Sequence, residues 1–380
     1  MLDGRVLIVS HSDPFGIGGG SFACRAYAKA FSTCYNGNVD ICIPAESNRP
    51  VDGSVPYANI IRVPARSVLS RIVSFFTGRI DRYSGFVIRH IGRNRNLYSL
   101  VLINGCRESG SMVRKLRSYG IKVVTVFHNF ERDYYRDNVR TPVFREVMLF
   151  HIRNLERKAY ALSDINLFLT SHDLKKYEET YGSKSSNKVT GVFEYSDAQV
   201  PVKPLHKNTS LTFVITGLLC NTQGQDSIAY FFDELYSMLP AGCKVLIAGL
   251  DPTEKVISLC ESHQNVTLIP NPEDMSEVIA QGDIYICPAN TGSGLKLRIM
   301  DGLRAGLPVI AHECSSRGYE SMESTPFFRS FSTPGEFADA VNALSGQIQS
   351  GSFSGQDVTD CYSKYFSFAS GLKRIENVLA

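Results

Sequence analysis

The residues best suited to chemistry lie in a glycine-rich stretch at positions 288–310, which reads PANTGSGLKLRIMDGLRAGLPVI. An apolar strand ends there, and a Gly-Ser-Gly turn opens a helical pattern with Lys296 and Arg298 in its first turn. Cations at a helix N-terminus oppose the macrodipole at about 0.3–1 kcal/mol each. A bound diphosphate would reverse that sign, because the dipole, the loop N–H groups and both cations attract it. The stretch therefore predicts a phosphate site, where Asp301 could bind a ribose diol; the alternative is a surface helix of mixed charge.

A second glycine-rich turn follows the first apolar strand. Residues 12–21 read SDPFGIGGGS, so the backbone at Gly18, Gly19 and Gly20 can approach a ligand closely. The dinucleotide fingerprint Gly-x-Gly-x-x-Gly is incomplete, since Ser21 stands in place of its last glycine, and nicotinamide binding is weakly supported. We expect an anion or sugar contact here, with a tight turn that holds no ligand as the alternative.

Three polar side chains, His128, Asn129 and Glu131, come directly after a strand at residues 123–127. At the carboxyl end of a strand they are well placed to hydrogen-bond a polar substrate. The alternative is a polar loop with an incidental histidine. The remaining histidines and the cysteines are scattered, so the sequence predicts no metal site.

Strands that alternate with helices must position these residues, and they predict α/β domains with parallel sheets covered on both faces. We expect a first domain at 1–200, a second at 201–355, and a C-terminal helix at 356–380 that packs back on the first domain. A proline-containing linker at 196–210 separates the two alternating series. Ligands of such sheets bind outside the carboxyl ends of the strands, which here would line a cleft between the domains. The predicted strands are 5–11, 39–43, 59–63, 99–103, 123–127, 165–169, 211–216, 244–248, 266–269, 284–287 and 309–311, and the predicted helices include 21–31, 111–118, 144–162, 225–239, 333–344 and 361–379.

Composition excludes several protein classes. The 380 residues are 43% hydrophobic and 20% charged, as in soluble globular proteins. The sequence has no apolar run of the roughly 20 residues that span a membrane, and its N-terminus does not resemble a signal peptide. Ten scattered cysteines without a Cys-x-x-Cys pair predict reduced thiols and a cytoplasmic location.

Charge is distributed unevenly along the chain. Residues 1–200 hold 28 Lys and Arg against 18 Asp and Glu, whereas residues 201–380 hold 12 against 19. Nine arginines and one acid, Asp81, lie between positions 53 and 107, interleaved with apolar residues. Such a basic amphipathic segment, Arg62–Arg95 in particular, predicts contact with an anionic membrane surface or an acidic acceptor. An ordinary surface helix is the alternative, and nucleic acid is less suited because no nucleic-acid motif accompanies the charge.

The motifs together resemble the nucleotide-sugar glycosyltransferases of the two-Rossmann-domain (GT-B) architecture, in the retaining family called glycosyltransferase family 4 or group 1. The glycine loop 292–294, Asp301 and the Gly-Leu-Pro-Val of 306–309 carry the strongest resemblance. Further matching segments are HNFE at 128–131, ERKAYA at 156–161 before Ser163 and Asp164, TGL at 216–218, and DIYICP at 283–288.

The resemblance implies a sugar transferred from a UDP- or GDP-sugar to a glycan or lipid-linked acceptor, with retention of configuration and without a metal or other cofactor. Lys296 and Arg298 would neutralise the diphosphate, and Asp301 would hold the ribose. His128 and Asp301 are the expected catalytic residues. The other expected donor contacts are Gly18, Gly19, Gly20, Asn129, Glu131, Gly217, Ser293, Gly294, Leu295, Lys296 and Arg298.

Two departures from the family pattern concern the charges of the site. The family's glutamates eight residues apart are replaced by Ser293 and Asp301, and residues 221–225 (NTQGQ) lack the usual basic pair. Lys296 and Arg298 must then carry more of the phosphate charge. The alternatives are a sugar-nucleotide epimerase of the same architecture and a non-catalytic nucleotide- or glycan-binding subunit; a dehydrogenase fits worst. The expected location is cytoplasmic, with peripheral contact to the inner membrane face.

Overall fold

The computed structural model of the chain describes residues 2–10, 13–16, 18–47, 53, 55–67, 69–70, 72–73, 81, 83–139, 141–196, 202, 205 and 210–380. The chain forms two compact units, one of Met1–Asp197 with Ser367–Ala380 and one of Ala198–Phe366. The predicted linker lies mostly outside the described residues, as do Arg71, Arg79 and Arg82 of the basic segment.

The first unit is built on a parallel sheet of seven strands in the order β3-β2-β1-β4-β5-β6-β7. The order reverses between β1 and β4, which pair directly. Its elements are β1 (Val6–Ser10), α1 (Gly19–Cys34), β2 (Val39–Pro44), β3 (Asn59–Val63), α2 (Ser84–Arg93), β4 (Leu100–Asn104), α3 (Cys106–Arg117), β5 (Lys122–Phe127), α4 (Glu131–Asn138), α5 (Pro142–Leu162), β6 (Ile165–Phe168), α6 (Ser171–Tyr181) and β7 (Asn187–Val189).

The second unit is built on a parallel sheet of six strands in the order β10-β9-β8-β11-β12-β13, which reverses between β8 and β11. Two parallel sheets with helices between their strands confirm the α/β class and the two doubly wound domains. The elements are β8 (Thr212–Leu218), α7 (Thr222–Tyr230), β9 (Lys244–Leu250), α8 (Glu254–Glu261), β10 (Val266–Pro270), α9 (Met275–Ile279), β11 (Ile284–Cys287), α10 (Arg298–Arg304), β12 (Val309–His312), α11 (Glu313–Ser316), α12 (Glu320–Glu323), β13 (Phe328–Phe331), α13 (Pro334–Ser350) and α14 (Gly355–Phe366).

The predicted C-terminal helix is in fact two helices. Ser367 separates α14 from α15 (Phe368–Leu379), and its hydroxyl caps α15 by accepting a hydrogen bond from the amide of Ser370 at 3.2 Å. Helix α14 belongs to the second unit and α15 to the first, where it packs on α1. The segment 356–380 is thus divided between the units.

The two faces of β1 pack into different cores because successive strand residues point to opposite sides. Val6 and Ile8 lie in a cluster with residues of α1 and α15, whereas Leu7 and Val9 lie in a cluster with residues of α2 and α3. Both faces of the first sheet are therefore covered by helices, as its continuous apolar strands require. Among the described residues, no helix is long and apolar enough to cross a lipid bilayer.

Candidate functional site

The loop between β11 and α10, residues 288–297, contains two glycines in conformations that favour glycine. Gly292 and Gly294 have φ angles of +93° and +74°, which side-chain-bearing residues rarely adopt. Helix α10 begins only at Arg298, so the prediction that the Gly-Ser-Gly turn directly opens the helix is wrong. Lys296 therefore lies in the loop and not in a first helical turn. Burial, and not the helix dipole, therefore governs the electrostatics of Lys296.

Lys296 is a buried cation with few partners. Its side chain is part of a residue only 5% exposed, and Nζ donates a hydrogen bond to the carbonyl oxygen of Ser293 at 3.1 Å. Within the described ranges no carboxylate forms an ion pair with it. Burial, together with the positive charges of Arg298 and Arg317, lowers the pKa of Lys296 to about 8. An anion bound at this loop would supply the missing countercharge.

Arg298 joins the loop to the end of β8. Its guanidinium donates to the carbonyl oxygen of Thr216 at 3.3 Å. A Cβ atom at Gly217 would lie 2.7 Å from Nη1 of Arg298, so the glycine leaves room for that guanidinium. The structure thus brings together Gly217 and Arg298, two residues that the sequence suggested separately.

Residues 221–225, which lack the basic pair usual in the family, contribute an amide side chain to the loop. Gln223, in the first turn of α7, donates from Nε2 to the carbonyl oxygen of Thr291 at 2.7 Å and so holds the glycine loop. The hydroxyl of Ser293 is buried and has no hydrogen-bond partner among the described residues. A buried hydroxyl of this kind is available to a ligand. Gly294 and Leu295 continue the loop between Ser293 and Lys296.

Asp301 lies in the first turn of α10, and its carboxylate accepts a hydrogen bond from Arg304 at 3.0 Å. It lines a small cavity together with Met275, Ser276 and Ile279 on the side of α9. The expected contact with a ribose diol stays a prediction, and such a contact would compete with the Arg304 pair.

In the first unit, the carboxyl ends of β1, β4 and β5 are linked by side-chain hydrogen bonds. His128 follows β5, and its Nε2 donates to Oδ1 of Asn104 at 2.7 Å. The amide nitrogen of Asn104 donates to the hydroxyl of Ser10 at 3.1 Å and lies 3.4 Å from the carbonyl oxygen of Gly20. Since the Asn104 oxygen can only accept, the proton of a neutral His128 is on Nε2 and its Nδ1 is an acceptor. Burial lowers the pKa of His128 to about 4, so the ring is neutral at pH 7.

Glycines open the first helix next to this chain of hydrogen bonds. Helix α1 starts at Gly19 with Gly18 as its N-cap, and no side chain caps it. Gly18 and Gly19 are exposed, and the first amides of a helix have no intrahelical acceptor. Through Gly20, whose carbonyl oxygen lies beside Asn104, the structure brings the first glycine motif and His128 to the same edge of the sheet.

Glu131, the first residue of α4, lies among several ionisable groups. Burial raises its pKa to about 8; Arg107 opposes that shift, and the carboxylates of Glu108, Glu156 and Asp173 add to it. Glu108 pairs with Arg107 at 3.0 Å, and Glu156 pairs with Arg132 at 3.1 Å. Glu131 is therefore a neutral carboxylic acid at pH 7. Its neighbour Asn129 accepts a hydrogen bond from Tyr177 through its carbonyl oxygen at 3.4 Å.

Sequence reasoning missed several residues of these sites: Ser10, Asn104, Gln223 and Arg317. Asn104 ends an otherwise apolar strand, a signal that becomes visible once β4 is extended by one residue beyond its predicted end. Gln223 and Arg317 come close to the loop only through tertiary folding, and no local pattern marks them. Arg317 donates to the sulfur of Cys314 at 3.4 Å and adds positive charge near Lys296.

Comparison with known proteins adds an independent finding. Residues 210–347 match the family described as Glycosyl transferases group 1. No curated protein matches the sequence. The chain is similar to the sucrose-phosphate synthase of Thermosynechococcus elongatus, with 14% identity, a TM-score of 0.69 and coverage of 99% of this chain and 98% of that one.

Two other solved structures are similar along the whole chain. The lipopolysaccharide outer core galactosyltransferase WaaB is 13% identical with a TM-score of 0.66, and 99% of each chain is covered. Anabaena Alr3699/HepE in complex with UDP is 11% identical with a TM-score of 0.65, again with 99% of each chain covered. At such identities the likeness shows the GT-B fold. The family match and the shared fold confirm the expected resemblance: residues 210–347, which contain Lys296 and its loop, match the group 1 glycosyltransferase family, and the chain has the GT-B fold.

Proposed function

We propose that this protein transfers a sugar from a nucleoside diphosphate sugar to a glycan or lipid-linked acceptor, and that the second unit binds the nucleotide. The observation that carries the proposal is Lys296, which is 5% exposed and whose charge no described carboxylate balances. A diphosphate would balance it. Because the diphosphate gains negative charge as the sugar leaves, cations fixed beside it lower the barrier.

Different groups of the loop would contact different parts of the donor. Lys296, Arg298 and Arg317 supply positive charge, and the buried hydroxyl of Ser293 and the amides of residues 293–295 supply hydrogen bonds. Asp301 would hold the ribose. Because side chains supply the charge, the proposed reaction uses no metal ion. A uridine donor is favoured, since the structurally similar HepE has been crystallised with UDP and with UDP-glucose.

The first unit is proposed to bind the transferred sugar and the acceptor at the edge formed by Gly18–Gly20 and His128. A neutral His128, protonated on Nε2, can accept a hydrogen bond from a sugar hydroxyl through Nδ1. In the reaction the bond from the anomeric carbon to the diphosphate breaks, and a bond to the acceptor oxygen forms. If configuration is retained, as the family resemblance implies, the acceptor hydroxyl transfers its proton to the oxygen of the leaving diphosphate.

The basic excess of residues 1–200 supports an anionic, lipid-linked acceptor at the cytoplasmic face of a membrane. This location is part of the proposal.

Ligand-induced stabilisation tests the donor site. UDP, GDP, dTDP and ADP are compared for their effect on the melting temperature, since a ligand that binds only the folded state raises it. We expect UDP or GDP to stabilise the protein, and Lys296→Ala to weaken that binding by about 1.5–3 kcal/mol. Lys255→Ala, an exposed lysine of α8, is the matched control and should leave binding unchanged.

Failure of all four nucleotides, or equal binding by Lys296→Ala and the wild type, would contradict the nucleotide site. Hydrolysis of the matching sugar nucleotide then separates an enzyme from a non-catalytic subunit, because only the enzyme releases the sugar.

A further inference from the structure

Helix α5 carries apolar side chains on the side that faces away from the core of the first unit. Successive helical residues are about 100° apart, so Met148, Ile152 and Leu155 share one side, and these three are buried. Val143, Val147 and Phe150 lie on the opposite side and are 79%, 38% and 72% exposed. Single exposed apolar residues are common, but adjacent turns of one helix face mark a binding surface.

The same side of α5 becomes basic one turn further along. Asn154 and Lys158 follow Phe150 at helical spacing and line a groove on the first unit. The other charged residues of its lining are all cations, and no acid occurs among the described lining residues. These cations are Arg66 and Arg89, before and within α2, and Arg114 and Lys115 of α3.

We propose that the exposed side of α5 (Val143, Val147, Phe150) and this basic groove form one surface that docks on an anionic lipid bilayer. The apolar side chains enter the boundary between headgroups and acyl chains, and Arg114, Lys115 and Lys158 contact lipid phosphates.

Charge favours a bilayer over a second copy of the chain as the occupant. In a two-fold dimer the same patch meets itself, so the cations of one groove would approach those of its partner. An anionic bilayer complements the cations and the apolar side chains at the same time. Phenylalanine next to lysine and arginine is the composition of helices that lie in the membrane interface.

The inference deepens the proposed function, since a docked enzyme would reach a lipid-linked acceptor. Vesicle binding needs neither donor nor acceptor, however. Failure of docking would leave nucleotide binding intact, and failure of nucleotide binding would leave docking intact.

A single fluorescent reporter tests insertion directly, because the chain contains no tryptophan. In Phe150→Trp, we expect the emission maximum to move to shorter wavelength when vesicles of equal parts phosphatidylglycerol and phosphatidylcholine are added. Met238→Trp, at a residue of the second unit that is 42% exposed, is the matched control and should not respond. An unchanged spectrum of Phe150→Trp, or a shift on raising the protein concentration without lipid, would overturn the proposal, the latter in favour of a second copy.

Vesicle sedimentation of variants without the reporter tryptophan tests how much the basic residues contribute to lipid binding. Arg114→Gln with Lys158→Gln should lower affinity for these vesicles roughly 30-fold, at about 1 kcal/mol per basic residue. Lys175→Gln with Lys188→Gln removes the same charge from exposed positions outside the groove and should have little effect. Equal losses in both double variants would indicate that net charge alone, and not this surface, drives binding. Cooperative thermal unfolding of each variant, measured without nucleotide, reports that it is folded.

Discussion

Lys296 shows how a residue can lower stability in the free protein and favour ligand binding. Burial of its ammonium group costs free energy, which the hydrogen bond to Ser293 offsets only in part. A bound diphosphate would offset that cost, because it supplies the opposite charge. The proposed affinity for a diphosphate and the cost of burying the ammonium group thus have one cause.

Replacing Lys296 with methionine should stabilise the free protein at pH 7 by about 1–3 kcal/mol while removing nucleotide binding. The pKa of Lys296 is about 8 in the folded protein and 10.5 ordinarily, so the unfolded chain binds more protons between these values. Wild-type stability should therefore rise as pH increases from about 8 to 10.5, and the advantage of Lys296→Met should shrink in that window. Urea unfolding at pH 7 and pH 10 measures both effects; a variant less stable than wild type at pH 7 would contradict them.

Glu131 should give the opposite dependence on pH. Its folded pKa is about 8 against an ordinary 4.5, so the folded protein holds the extra proton between these values. Stability is then lost as pH rises from about 4.5 to 8. Glu131→Gln should match wild type near pH 4.5 and exceed it by about 1–3 kcal/mol at pH 8, since partial exposure screens some of the charge. The raised pKa of Glu131 would be contradicted if the free energies of unfolding of Glu131→Gln and the wild type changed equally with pH across this range.

Residue types revealed part of the candidate sites from the sequence. Lys296 and Arg298 stand beside a glycine turn, and His128 follows an apolar strand, so local patterns marked them. Burial could not be read from those patterns, and it is burial that makes Lys296 a candidate for binding an anion and His128 a neutral ring. Asn104 and Gln223 act through contacts with residues distant in sequence, which no single-sequence pattern contains.

At the scale of elements, the close approach of α3 and α5 depends on one missing side chain. A Cβ atom at Gly110 would lie 2.2 Å from the carbonyl oxygen of Leu155, which is backbone and cannot move aside alone. The contact holds α5 against α3 while the outer residues of α5 stay exposed. Gly110 therefore sets the position of the helix that we propose to dock on lipid.

Gly110→Ala should destabilise the protein by about 1–3 kcal/mol, the cost of overpacking. Gly346→Ala is the matched control, because Gly346 lies in α13, is exposed, and would place its Cβ in open space. That control should stabilise by about 0.5–1 kcal/mol, the difference in helix propensity. Thermal unfolding measures the stability of both variants. If both substitutions stabilised the protein, or both destabilised it, the close contact at Gly110 would be contradicted.

The apolar strands could be predicted from sequence because continuous valine, isoleucine and leucine runs need a sheet buried on both faces. Strand β7 reads NKV and β13 reads FRSF, and such short, partly polar segments become strands only by pairing with a longer neighbour. The division of the last helix was missed although Ser367 carries a capping signal, since apolar spacing continues across it. The start of α10 was misplaced because glycines with positive φ angles extend the loop.

At the scale of the whole molecule, the chain returns to the first unit for its last helix. Arg374 of α15 donates to the carbonyl oxygen of Thr190 at 2.7 Å, and Gly371 lets the helix lie against Phe193. Ile375 is fully buried in the core that α15 shares with α1. The stability of the first unit thus depends on residues that follow the second unit in the sequence.

Differential scanning calorimetry can show which unfolding transition belongs to which unit. Ile375→Ala should lower the transition of the first unit, and Leu344→Ala, an equally buried residue of α13, should lower that of the second, each at a cost of about 2–5 kcal/mol. UDP should raise only the transition that Leu344→Ala lowers, since the proposed nucleotide loop belongs to the second unit. If UDP raised only the transition that responds to Ile375→Ala, the nucleotide would bind the first unit, because stabilisation by a ligand identifies the part of the chain that must be folded to hold it.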